Sequence, residues 1–148
     1  MSKQMAEEVY KHSALTSKII GAAMAVHTGL GNGFQEVIYQ RALAIELGDR
    51  NIAFCREFEM PIYYKNQHIG TRRVDFLVEG MISVELKAVM EILDVHLAQG
   101  INYLEAYDLE VGLLINFGAR SLQFKRLSNK KFKQKAQGNP NIKHDFSG

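Results

Sequence analysis

The sequence predicts an α/β sandwich with a central mixed β-sheet flanked by helices, and three observations carry that expectation. Helical spacing of apolar residues fills two stretches before residue 48. Short apolar runs broken by turn residues fill 52–89. A third helical stretch then leads into the continuous apolar run Val111-Gly112-Leu113-Leu114-Ile115-Asn116-Phe117. A strand that is apolar throughout is one covered on both faces, and a helix standing between it and a meander reads as a crossover. The order helix, helix, three-strand meander, helix, strand, strand therefore gives a layered α/β domain. At 148 residues, with 47% apolar and 23% charged content, the chain has material for one domain with its own core.

The first helix is expected over residues 13–30. Leu15, Ile19, Ala22, Ala23, Val26 and Leu30 recur at spacings of three and four and mark a buried stripe. Ser13 or Thr16 is the expected cap, and Gly29, Gly31 and Gly33 end the helix. A second helix is expected over residues 35–47, where Glu36, Tyr39, Gln40 and Leu43 share one stripe. By itself Glu36 is a residue that complements the helix dipole, and Tyr39 an amphipathic residue at the edge of the core. Residues 52–64 read as a strand whose Pro61 suggests an edge or a bend. Lys65-Asn66-Gln67 turns the chain, and Ile69 begins the return.

The return leads into the most informative stretch. Apolar runs at 74–78 and 81–84 flank Glu79-Gly80, the pattern of a hairpin. Alternation sends Glu85 and Lys87 to one face and Leu86 to the other, with Asp75 on the neighbouring strand. Gathering Asp, Glu and Lys in an apolar frame is costly unless they pair or do chemistry. Two carboxylates and a strand carbonyl suit Mg²⁺, which keeps several waters and often contacts phosphate. A nearby ammonium orients or activates water, or stabilises charge on phosphate. A solvated hairpin with an ordinary Glu85–Lys87 surface pair is the competing reading. Arg72 and Arg73 alternate faces, so only one of them points easily to the side of Asp75.

The next helix opens at residues 93–104 with Asp94 as the expected N-cap. Gln99 and Tyr103 are four apart and share a face, with His96 one turn earlier. Residues 121–127 supply a last strand. Charge is unevenly spread: residues 1–124 hold 11 basic against 15 acidic side chains, whereas 125–148 hold seven against one. The segment 128–148 reads as a basic, flexible tail, either solubilising or able to hold phosphate electrostatically. Cys55 is the single cysteine, so no intrachain disulfide or thiolate zinc cluster is expected. That cysteine usage fits a reducing cytoplasm, and residues 1–11 carry Glu7 and Glu8 and lack the basic start and apolar core expected of a signal peptide. No run is long enough to span a bilayer, and no Walker-type phosphate loop is present.

Asp75 followed by Glu85-Leu86-Lys87 resembles the PD-(D/E)xK nuclease superfamily, with Val74 in place of the proline of that pattern. Gly33-Phe34-Gln35-Glu36-Val37-Ile38-Tyr39 resembles the signature of the GxxExxY family, carried by Gly33, Glu36 and Tyr39. Gln99 and Tyr103 after the Glu-x-Lys strand are similar to RecB-like members, and His96-x-x-Gln99 also occurs in GxxExxY proteins. The resemblance spans about residues 13–127. It implies a restriction-endonuclease-like fold in a single domain, residues 1–127, and a Mg²⁺- or Mn²⁺-dependent phosphodiesterase acting on DNA or RNA. Asp75, Glu85 and the Leu86 carbonyl would hold metal, with Glu36 joining directly or through water. Lys87 would position or activate water, and Gln99 and Tyr103 would organise the lysine and the phosphate. Arg73 and His96 are the candidate nucleic-acid contacts. Nucleic acid is the implied partner, with a homodimer or partner protein as a further one and no membrane. The alternative is a nuclease-like scaffold that binds nucleic acid or protein without cutting.

Overall fold

The computed structural model describes residues 3–133, with side chains described from His12 onward. Eight elements follow one another: α1 (Lys3–Leu30), α2 (Glu36–Asp49), β1 (Phe54–Tyr64), β2 (Gln67–Val78), β3 (Ile82–Lys87), α3 (Asp94–Tyr107), β4 (Val111–Asn116) and β5 (Gln123–Ser128). The five strands form one sheet in sequence order. β1–β2, β2–β3 and β4–β5 pair antiparallel, while β3–β4 pair parallel across α3. The expected mixed sheet flanked by helices is the observed architecture.

Two cores lie on opposite faces of this sheet. Ile19, Ala23 and Val26 of α1, with Tyr39, Leu43 and Leu47 of α2, pack on Phe76, Val84, Leu86 and Ile115. Tyr103, Leu104 and Tyr107 of α3 pack against Met60, Val74, Leu114 and Leu127. β4 is covered on both faces, since Leu113 and Ile115 join the first core and Leu114 the α3 side. Leu30, expected in the α1 stripe, is 36% exposed at the helix end, and Ile20 is buried instead. α1 begins at Lys3, so neither Ser13 nor Thr16 caps it. Thr16 is buried, its hydroxyl bonded back to the Ser13 carbonyl.

Asp94 is not the cap of α3. Leu93 occupies that position with extended backbone, and His96 Nδ1 accepts its N–H at 3.0 Å. Asp94 instead sits in the first turn, where a carboxylate complements the helix dipole. Pro61 lies in β1, an edge strand, as its missing N–H requires. At the far edge, β5 continues to Ser128 and Asn129 is buried, its amide donating to the Leu104 and Leu109 carbonyls. The rest of the expected tail, from residue 134 on, lies outside the described residues.

The β1–β2 register shifts between Ile62 and Tyr63, and nearer the site a pair is skipped without a shift. The β1–β2 register passes from Arg56↔Phe76 to Phe58↔Val74, and Glu57 between them has φ of +50°. A left-handed residue inside a strand turns the side chains beyond it. Phe76 and Val78 belong to the α1/α2 core, but Val74 packs with the α3 tyrosines. Sidedness therefore changes at Asp75.

Candidate active site

β2 and β3 are joined by the tight turn at Glu79 and Gly80, both left-handed with φ of 54° and 66°. The pairing they start runs Val78↔Ile82, Leu77↔Ser83 and Phe76↔Val84, and stops there. Beyond it the strands separate, and Asp75 enters the gap: its Oδ2 accepts the Leu86 N–H at 2.7 Å. The Lys87 carbonyl accepts from Phe117 N–H on the β4 side, so odd residues of β3 bond β4. Leu86, one residue earlier, consequently points its N–H and its carbonyl toward β2 and Asp75. Asp75, Glu85 and the Leu86 carbonyl thus gather at the mouth of one splay.

The other oxygen of Asp75 is held by a residue from α2. Gln40 Nε2 donates to Asp75 Oδ1 at 3.0 Å, and Gln40 Oε1 accepts from Arg56 Nη2 at 2.7 Å. Arg56 thereby fixes which way the buried amide faces. Gln40 showed in the sequence only as a member of the Glu36 stripe, and Arg56 gave no signal. Both are parts of the site that residue spacing alone missed.

Glu85 is 13% exposed and its Oε1 accepts Arg72 Nη2 at 3.2 Å. Burial raises its carboxyl above the usual range; Arg72 opposes that most, Asp75 adds to it, and Lys87 lowers it. Glu36 is exposed at the start of α2, yet its carboxyl is also raised, first by partial burial. Lys87 and Asp75 are the charges that act on it. Glu36 therefore stands at the rim, within electrostatic reach of the lysine and aspartate. The half-buried Lys87 ammonium makes no hydrogen bond or ion pair with the described residues.

Tyr103 is fully buried, and its hydroxyl has no hydrogen-bond partner among the described residues. Burial, then Tyr107 and Glu85, push its phenol upward beyond the usual tyrosine range, so it stays a neutral donor. Its ring meets Tyr107 edge-on at 4.3 Å and lies 5.5 Å from the Arg72 guanidinium. The Tyr107 phenol, pushed up to about 12 by burial, donates to the Met60 carbonyl. The other expected residues fall elsewhere. Gln99 is exposed on α3 without a hydrogen bond to the described residues. His96 serves the helix start. Arg73 is 57% exposed and 4.0 Å from Glu57, because the twist at Glu57 presents Arg72, not Arg73, to the carboxylates.

Tyr39 of the signature has a structural task. Its hydroxyl donates to the Gly31 carbonyl at 2.6 Å and accepts Phe34 N–H, while its ring stacks on Phe117 at 4.7 Å. The loop that carries Gly33 and leads to Glu36 is tied by this one side chain to the end of β4.

Residues 13–127 match the model of the PD-(D/E)XK nuclease superfamily, and the chain belongs to that superfamily. None of the curated proteins matches it. Among solved structures, the crystal structure of SSO0001 is similar with a TM-score of 0.50 at 17% identity, over 64% of this chain and 50% of that one. The chain spans half the length of that protein, and at this identity the likeness concerns the fold. Nucleases of the superfamily generally use divalent ions. The donors fit such an ion: two carboxylates and a carbonyl are hard oxygen ligands, and a buried carboxyl raised by desolvation gains from a cation. Among the described residues no group of three or more His, Cys, Asp or Glu is placed to hold a metal alone. Glu36 as placed here thus closes no three-carboxylate cage, and water and phosphate are the ligands left to complete a shell.

Proposed function

We propose that this protein is a metal-dependent nuclease of the GxxExxY group, RecB-like within its superfamily, that hydrolyses phosphodiester bonds of DNA, with RNA the other candidate. The observation that carries the reading is the splay of β2 from β3, which sets Asp75 against the Leu86 amide and leaves Lys87 unpaired beside the carboxylates. Asp75, Glu85 and the Leu86 carbonyl would hold Mg²⁺ or Mn²⁺, with Glu36 acting through water. When bound, the ion supplies charge stabilisation on phosphate and a more acidic water.

The chain's own groups do the rest. Gln40 and the Leu86 amide fix the two oxygens of Asp75. Lys87 positions the water and donates to phosphate oxygens, where negative charge builds as water attacks and the P–O bond breaks. Tyr103 acts as a neutral hydroxyl donor rather than a base, in keeping with its upward shift. Gln99, on the open face of α3, and Arg73, on the β1–β2 arm, contact the nucleic acid. A second copy or a partner protein would extend that surface.

The test is a cleavage assay with Mg²⁺ and with Mn²⁺ across single-stranded, duplex, flapped and RNA substrates, with Lys87→Ala as control. Cleavage that needs the ion and disappears with Lys87→Ala is expected. Nucleic-acid binding without cleavage under either ion would favour the scaffold.

A further inference from the structure

Arg72 has three attachments that together define a task. Nη2 bonds Glu85 Oε1 at 3.2 Å, the guanidinium lies 5.5 Å from the Tyr103 ring centroid, and the backbone carbonyl of Arg72 accepts the Tyr107 hydroxyl at 3.5 Å. The side chain keeps 28% of its surface exposed while Glu85 keeps 13%. Tyr103 thus supports one face of the guanidinium, Glu85 takes one N–H, and the remaining donors have no acceptor among the described residues. A planar fork that keeps free donors after pairing with one carboxylate suits phosphate better than it suits a purely structural pair.

Glu85 is asked to do two things at once. An acceptor engaged by a guanidinium gives less to a divalent cation, and a positive charge so close opposes the cation's approach. We propose that Arg72 and a divalent cation compete for Glu85, and that the guanidinium so displaced binds the phosphate of the nucleic acid. This competition rests on the nuclease reading and adds an order of events to it. The cation binds weakly to the protein alone and more firmly once a phosphate is present to take Arg72 away. The two ligands then favour each other through one side chain, and that coupling is reciprocal. Tyr103 keeps the guanidinium within reach of both positions, a use for a ring whose hydroxyl bonds nothing described.

Calorimetric titration of Mn²⁺ into wild type, Arg72→Gln and Arg72→Lys, without nucleic acid, tests the first half. Arg72→Gln removes the competitor and should bind Mn²⁺ about tenfold more tightly, whereas Arg72→Lys keeps the charge and should stay near wild type. Arg72→Met, whose apolar stem still lies on Tyr103, gives the same readout if Arg72→Gln does not fold. Fluorescence anisotropy of a labelled single-stranded oligonucleotide, in a Lys87→Ala background that does not turn over, tests the second half. Arg72→Gln should weaken that binding severalfold and raise KM in the otherwise wild-type protein. Mn²⁺ affinity that is unchanged or weaker in both Arg72→Gln and Arg72→Met overturns the competition, and unchanged oligonucleotide affinity overturns the phosphate role. Wild type that binds no Mn²⁺, with or without the oligonucleotide, overturns the nuclease reading itself, an outcome distinct from either.

Discussion

Burial raises the Glu85 carboxyl despite Arg72 at 3.2 Å, so the loss of water outweighs the guanidinium's pull. A carboxyl raised on folding adds stability below its unfolded pKa of about 4.5, and that contribution disappears as pH rises through the folded value. At neutral pH, then, the ionised Glu85 works against the fold that presents it. Glu85→Gln does not titrate, so its advantage over wild type should appear as pH climbs through the raised pKa. We expect a higher melting temperature at pH 7 than wild type shows, with the gap closing toward pH 4. Thermal melts in chelator across that range check it. Cation binding has the opposite slope, since it needs the ionised form and should weaken as pH falls through the same value. Gln40 offers a second test at this scale. Gln40→Leu leaves Asp75 Oδ1 and Arg56 without their shared amide, and losing such an orienting partner typically weakens metal binding about 10–100-fold. Calorimetry with Mn²⁺ should show that loss, with Asp75→Ala as the limiting case.

β3 is held at its exit as firmly as at the splay. The buried Asn116 accepts Val89 N–H and donates to the Val89 carbonyl, at 3.0 and 2.9 Å. A Cβ at Gly118 would overlap the Val89 backbone nitrogen and oxygen. Two residues past Lys87 the chain is therefore fixed by the end of β4, and Phe117 N–H holds the Lys87 carbonyl itself. Gly118→Ala should cost about 1–3 kcal/mol, the usual range for overpacking, and should lower turnover further by shifting Lys87. Urea unfolding alongside cleavage rates separates the two effects. Legibility in the sequence also divides at this scale. Glu79-Gly80 announced its turn because only a few residues accept positive φ, and the turn set the register of β2 on β3. The crossover was visible because β4 is apolar at nearly every position. Asn116 hid in that same apolar run. Arg72 was not separable from Arg73, because the residue that reverses sidedness is Glu57 and not a glycine. Gln40 meets Asp75 and Arg56 only after α2 is laid on the sheet, across 35 and 16 positions of chain. Gln99 shared a helical face with Tyr103 on paper, yet an extra turn's distance along α3 carries it out to solvent.

At the scale of the whole molecule, the site joins parts that fold against different cores. α2 brings Glu36 and Gln40 from one face of the sheet, α3 brings Tyr103 from the other, and β2 and β3 carry Asp75 and Glu85 between them. An ion held by Asp75 and Glu85 would bind only when these layers are assembled, so binding stabilises the entire fold by mass action, about 2.7 kcal/mol at a hundredfold excess over Kd. The melting temperature of wild type should accordingly climb with Mg²⁺ or Mn²⁺, by several degrees at saturation. Asp75→Ala should show no such rise, because the oxygen that bridges the splay to the Leu86 amide is gone. Lys87→Ala should keep the rise and lose cleavage, because the ammonium is no ligand. That separation of metal stabilisation from turnover is what an enzyme predicts. A scaffold that has kept only the fold predicts melts indifferent to either ion in all three proteins. Scanning calorimetry with and without Mn²⁺, paired with the cleavage assay on the same preparations, decides between them.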